Sequence, residues 1–204
     1  MDRQSKCGLS TVADVMNNEY DPKPMLEQAL TEGTLVRVMR EGLEDERVDG
    51  YIVGLGATYF AINVFDGFGR LDGVNCLRFE DVTESILPAP HHGFLERNLA
   101  LQNAVRQTSF EVDMSSLQTI LLTAGSLYPL IIVHLEDDDD VCFIGKFISV
   151  DDESLTIEYV SPDGEWCEVS EYDLAEITRV DFGGEYEAAL YRVAQSRLSD
   201  RAKE

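Results

Sequence analysis

Four consecutive aspartates, Asp137, Asp138, Asp139 and Asp140, stand in the stretch VHLEDDDDVCFIGKF, and carboxylates at that density could hold a divalent cation or attract a basic partner. A selective Ca²⁺ site needs oxygens distributed around the ion, ordinarily with alternation such as D-x-D-x-D-G. Consecutive aspartates throw their side chains to different sides, so the run is expected to be a strand connection, with an acidic docking loop as the functional alternative. The histidine pair His91 and His92, in PAPHHGF, could ligate a metal, yet no Cys, Asp or Glu stands beside it at a familiar spacing. It is read as a loop entering a helix. Cys7, Cys76, Cys142 and Cys167 lie far apart without a CxxC pair, which writes neither a zinc knuckle nor a dithiol motif and predicts buried free thiols. No G-x-S-x-G, P-loop or H-E-x-x-H occurs, and the glycines of GLGATYFAINVFDGFG form no phosphate-binding turn entering a helix. The chain therefore reads as a non-enzyme, with no catalytic residue, metal or cofactor.

Charge narrows the partners. Among 204 residues, 39 are acidic and 16 basic, for a net charge of −23. From Gln107 onward the balance is 22 acids to 6 bases, or −16, against −7 before it. Nucleic-acid binders ordinarily carry a basic stripe that displaces counterions, so RNA is disfavoured as a partner. Solubility is the simplest use of such a field, and attraction to a basic surface is the functional one. No stretch approaches the roughly 18 apolar residues of a membrane span, and MDRQSKCGLSTVADVMNNEYD lacks the apolar core of a signal peptide. A cytoplasmic location without membrane contact is expected.

The elements that would position these residues occur twice. Sliding the chain by 95 residues lays LVRVMREGLEDERVDGYIVGLGATYFAINVFDGFGRLDG on LIIVHLEDDDDVCFIGKFISVDDESLTIEYVSPDGEWCE without a gap, with Leu35 on Leu130, Val38 on Val133, Gly50 on Gly145, Ile62 on Ile157 and Gly69 on Gly164. The aspartate run then falls on Gly42, Leu43, Glu44 and Asp45, a polar connection in the other copy. Period-2 apolar runs predict five short strands per copy, at 35–38, 51–55, 59–65, 74–79 and 82–86, then at 130–135, 141–150, 155–160, 166–170 and 177–182. Helices flank each set. Asp21 is expected to cap the first, with Pro24 in its first turn and Gly33 as its stop; Ser115 or Ser116 caps its counterpart, which ends at Gly125. GFLERNLALQNAVRQ and EYEAALYRVAQSRL supply the helices after the strands. The fold expected is mainly β with flanking helices (α+β): an N-terminal tail at 1–20, then helix–barrel–helix repeats at 21–107 and 108–204, each a five-stranded small barrel.

VDGYIVGLGATYFAINVFD followed by LDGVNCLRFEDVTESI resembles the two-part signature of Sm-like proteins, and GKFISVDDESLTIEYV with YDLAEITRVDF resembles a more divergent copy. The resemblance covers 35–87 and 130–182 and is a pattern of strands and turns that SH3-like barrels share. It implies a tandem pair of small barrels related by internal duplication. It also implies single-stranded RNA binding through a third-strand asparagine and an arginine ending the fourth strand, an amide and a guanidinium that hydrogen-bond a splayed base or its phosphate. Here the asparagine position holds Ala61 and, in the second copy, Thr156. Asn63 lies two residues on, and Arg78 fits the arginine position, but its counterpart is Asp173.

The function expected is therefore an adaptor or regulator that acts through protein contacts. The alternatives are an Sm-like RNA-binding protein using Asn63 and Arg78 of the first barrel, and an acidic decoy of a nucleic-acid-binding protein. Partner contacts are expected at Tyr159, Trp166 and Tyr172, since aromatics dominate interface hot spots, at the aspartate run, and at uncovered edge strands, which can accept a partner's strand. Pairing between copies of the chain is a further option.

Overall fold

The computed structural model describes residues 20–43, 47–104, 106, 110–135 and 142–201. Helix α1 (Lys23–Glu32) precedes strands β1 (Val36–Met39), β2 (Val48–Leu55), β3 (Tyr59–Phe65), β4 (Leu71–Arg78) and β5 (Glu84–Ile86), and α2 (His92–Gln102) follows. The order recurs as α3 (Leu117–Leu127), β6 (Ile131–Leu135), β7 (Cys142–Val150), β8 (Ser154–Val160), β9 (Trp166–Asp173), β10 (Ile177–Phe182) and α4 (Glu185–Arg201). A 3-10 turn links the last two strands of each set, at Phe79–Asp81 and Leu174–Glu176.

All ten strands form one antiparallel sheet in the order β5-β1-β2-β3-β4-β10-β6-β7-β8-β9. The sheet is open, with β5 and β9 as its ends. The second five strands repeat the order and register of the first at the 95-residue offset: Val36 pairs with Gly50 as Ile131 pairs with Gly145, and Arg37 with Ile86 as Ile132 with Asp181. The register shift between Ile52 and Gly54 returns between Phe147 and Ser149. Gly50 and Gly145 show why this position excludes a side chain. A Cβ would lie 2.4 Å from the Asn63 carbonyl oxygen in one and 2.7 Å from that of Glu158 in the other, so the neighbouring strand can approach only because none is present.

Local chemistry sets the helix ends, with two departures from expectation. Gly33 does stop α1 in the left-handed region, at φ 62°. Asp21 is not its N-cap: Pro22 holds that place, and Asp21 accepts a hydrogen bond from the Lys23 amide. Ser116 caps α3 through a reciprocal box with Thr119. Gly125 does not end α3, which runs on to Leu127. A Cβ there would meet Phe147 Cβ and Cγ at 2.4 Å, so this glycine lets the helix lie against β7.

Four apolar clusters divide the interior. One lies between α1 and the first five strands (Leu26, Val36, Phe60, Ile62, Leu77), one under α2 (Leu35, Tyr51, Leu99) and one under α4 (Leu130, Val160, Leu190, Ala194). The largest crosses between the halves. Tyr59, Ala61, Val74 and Cys76 from β3 and β4 pack with Ile120, Leu121, Ile131, Val133, Val180 and Phe182. Among the described residues no helix is long and apolar enough to cross a membrane.

Candidate functional site

The β4·β10 join gathers most of the buried polar chemistry. Val74, Asn75, Cys76 and Leu77 face Phe182, Asp181, Val180 and Arg179. Because side chains alternate across a strand, Val74, Cys76, Val180 and Phe182 enter the large apolar cluster, whereas Asn75 and Asp181 lie on the opposite face.

Three sets of polar contacts pin that register. On one face the Asp181 carboxylate accepts from Asn75 Nδ2, from Arg179 Nε at 2.8 Å and across to His134 Nε2 at 3.1 Å. Burial alone would raise the pKa of this acid, but the Arg179 guanidinium and the His134 contact hold it well below the usual carboxylate range. On the other face the Tyr59 hydroxyl donates to the Ile177 carbonyl at 3.1 Å, and burial pushes that phenol up to about 12. At the end of the join Arg40, 1 % exposed, donates to the Thr178 carbonyl at 3.1 Å and faces Asp81, which also receives Arg78 Nε at 2.7 Å. A buried guanidinium is tolerated only where carboxylate and carbonyl oxygens meet it.

The join supplies no nucleophile. Burial raises the Cys76 thiol far above its ordinary range, and among the described residues no group of three or more His, Cys, Asp or Glu could hold a metal ion. A 130 Å³ cavity beside Asp181 is small and of mixed lining, with Asp72, Asn75, Arg179 and Glu187 beside Val64 and Ile132. The polar contacts of the join fix the pairing of two strands.

The residues singled out from the sequence lie elsewhere or are engaged. Asn63 pairs with Val74 and Arg78 with Tyr59, four positions apart along β3, so the two do not converge. Asn63 Nδ2 donates to the Gly73 carbonyl at 2.6 Å, and Arg78 is bound to Asp81. Trp166 packs edge-on against Tyr191 of α4 at 6.3 Å, Tyr172 lies against Phe143 at 4.7 Å, and Tyr159 is half-buried opposite Gly145. Asp137 to Asp140 fall outside the described residues. His91 takes a left-handed conformation (φ 63°) at the entry to α2, and His92 Nδ1 lies 3.1 Å from the Ala89 carbonyl. Two cysteines depart from the expected burial: Cys142 is exposed where β7 begins, and Cys167 is exposed on β9, which among the described residues has no neighbouring strand on its outer side; Cys7 falls outside the described residues.

Sequence reasoning missed the pins, although a signal was present. At the 95-residue offset Arg40 falls on Leu135 and Asp181 on Ile86, a change of charge at one structural place, while Tyr59 falls on Ser154 and Asn75 on Ser170, a change of size. Those are the positions where one copy meets the other. Compared with protein-family models, curated proteins and solved structures, the chain matches none.

Proposed function

We propose that this protein is a non-enzymatic adaptor or regulator that acts through protein contacts, built as two tandem Sm-like barrels from one duplicated unit. One observation carries the reading: the strand surfaces of β4 and β10 pair with each other in the middle of the sheet, while among the described residues the outer edges of their counterparts β9 and β5 have no neighbouring strand. An uncovered strand edge offers a row of backbone donors and acceptors, which is the basis of recognition by strand addition. The polar pins at the join serve register, and the described residues assemble no site with the layout of a reacting centre. Support for protein over nucleic acid comes from the net charge of −23 and from Arg78 being committed to Asp81.

The test is capture by tagged full-length protein from source-cell extract at low salt, with half of each sample treated with nuclease. A stoichiometric protein that survives nuclease, and that is lost with Leu87→Asp on the β5 side or Val169→Asp on β9, is the expected result. RNA recovered by the wild type and lost with Arg78→Glu would replace this reading with the RNA-binding one. Salt-sensitive capture of basic proteins that free RNA displaces would replace it with the decoy.

A further inference from the structure

We propose that the partner binds at the β5 end of the sheet, and that it is a different protein presenting a β-strand antiparallel to Glu84–Ile86, apolar at the places that Val74 and Cys76 hold on β4, with one side chain seated between Met25 and Leu87. This deepens the adaptor reading and rests on it. The chain contains its own template for the contact, since β4 lies on β10 with Val74 opposite Phe182 and Cys76 opposite Val180. Ile120 and Phe182 beneath that contact are fully buried, as are Cys76 and Val180. At the 95-residue offset Ile120 corresponds to Met25 and Phe182 to Leu87. These two line an open groove of about 370 Å³ with Tyr20, Asp21, Pro24 and Gln28. Among the described residues, the place filled in the second half is thus left open in the first, where the Tyr20 hydroxyl bonds Ser85.

A second copy is a poor occupant. Its β9 would place Glu171 where β4 places Cys76, Asp173 where β4 ends in Arg78, and Ser154 where β3 supplies Tyr59. Asp81 is replaced by Glu176 and Arg40 by Leu135, so Arg40 and Arg78 of the join have no cationic counterparts on that side while the Asp81 position remains acidic. The receiving side has changed as well, with Met39, Glu84 and Ile86 standing for His134, Arg179 and Asp181. None of the three pins can form at such a contact. It would instead bring together acidic surfaces in a chain already at −23, with Glu171 desolvated and no cation against it. The β9 strand exposes Glu168, Val169 and Glu171, whereas the β5 end keeps the groove between Met25 and Leu87.

The probe is a fluorescein-labelled peptide of residues 71–79 with Cys76 replaced by alanine, titrated with the full chain and read by anisotropy and by amide exchange. Saturable binding with new protection at residues 84–87 is expected. Affinity should fall by roughly tenfold or more with Leu87→Asp or Met25→Glu, each checked for an unchanged unfolding midpoint, and with lysine at position 74 of the peptide. Val169→Asp should change nothing. Protection on β9, displacement of the chain's own β4, absence of binding, or head-to-tail self-association in sedimentation would each overturn the proposal. In extract, a nuclease-resistant protein lost with Val169→Asp but kept with Leu87→Asp would sink this inference and leave the adaptor reading standing. Recovery of no such protein, with the peptide still bound at 84–87, would sink only the adaptor reading.

Discussion

Arg40 and Asp181 carry high electrostatic stakes, because both are buried and each bonds across the join between the two halves. Replacing Arg40 by alanine leaves Asp81 with one cation fewer and the Thr178 carbonyl without its donor. Breaking a buried charge pair in this way costs about 3–5 kcal/mol, to be read from urea unfolding. Asp181 makes stability pH-dependent, with a sign that follows from its depressed folded pKa. Its contribution is present above the unfolded carboxyl pKa of about 3.9 and is lost as pH falls below it. Stability should therefore decline from about pH 5 toward pH 2, and Asp181→Asn should make that decline shallower at the expense of stability at pH 7. Glu187 acts in the opposite sense, since burial raises its carboxyl and charging it disfavours the fold. The thiols give a third test: in the native state iodoacetamide should modify exposed Cys167, whereas buried Cys76 should react only on unfolding.

Glycine and close approach govern the elements. Gly125 brings α3 onto β7, and a methyl group there has no space beside Phe147. Gly125→Ala is expected to destabilise by about 1–3 kcal/mol in chemical denaturation despite the better helix propensity of alanine. The sequence pattern located every described strand, because alternation survives wherever one face is buried, and it placed the α1 stop at Gly33 and narrowed the α3 cap to Ser115 or Ser116, of which the structure uses Ser116. It misplaced the end of α3 because glycine is both a helix stop and a spacer, and only the partner surface decides between them. It also ended the ninth strand at position 170, whereas β9 runs on to Asp173, since an exposed edge strand needs no apolar residues to continue its pairing with β8.

At the scale of the whole molecule the two halves share an interior. The outer face of β3 and β4 is as apolar as a core, with Tyr59, Ala61, Val74 and Cys76 covered by the second half. The corresponding face of β8 and β9 carries Ser154, Thr156, Val169 and Glu171. One cooperative transition is therefore expected for the full chain, with coincident fluorescence and circular dichroism curves. A fragment ending at residue 106 would expose the first face and should aggregate or fail to unfold cooperatively. Two separated transitions in the full chain would show that the shared cluster does not couple the halves.

The sequence by itself determined the strand pattern, the 95-residue offset and the placement of helices around each set, because these depend on local alternation, turn residues and burial on one face. It also set the net charge of −23, a property that needs no coordinates. What only the tertiary structure decided is how the halves meet. Strand order across the join, the burial of Arg40 and the convergence of Asn75, His134, Arg179 and Asp181 involve residues up to 138 positions apart, as in the Arg40 bond to Thr178. Pairing between distant strands is selected by the fit of whole faces, and no local window of sequence contains both sides of that fit.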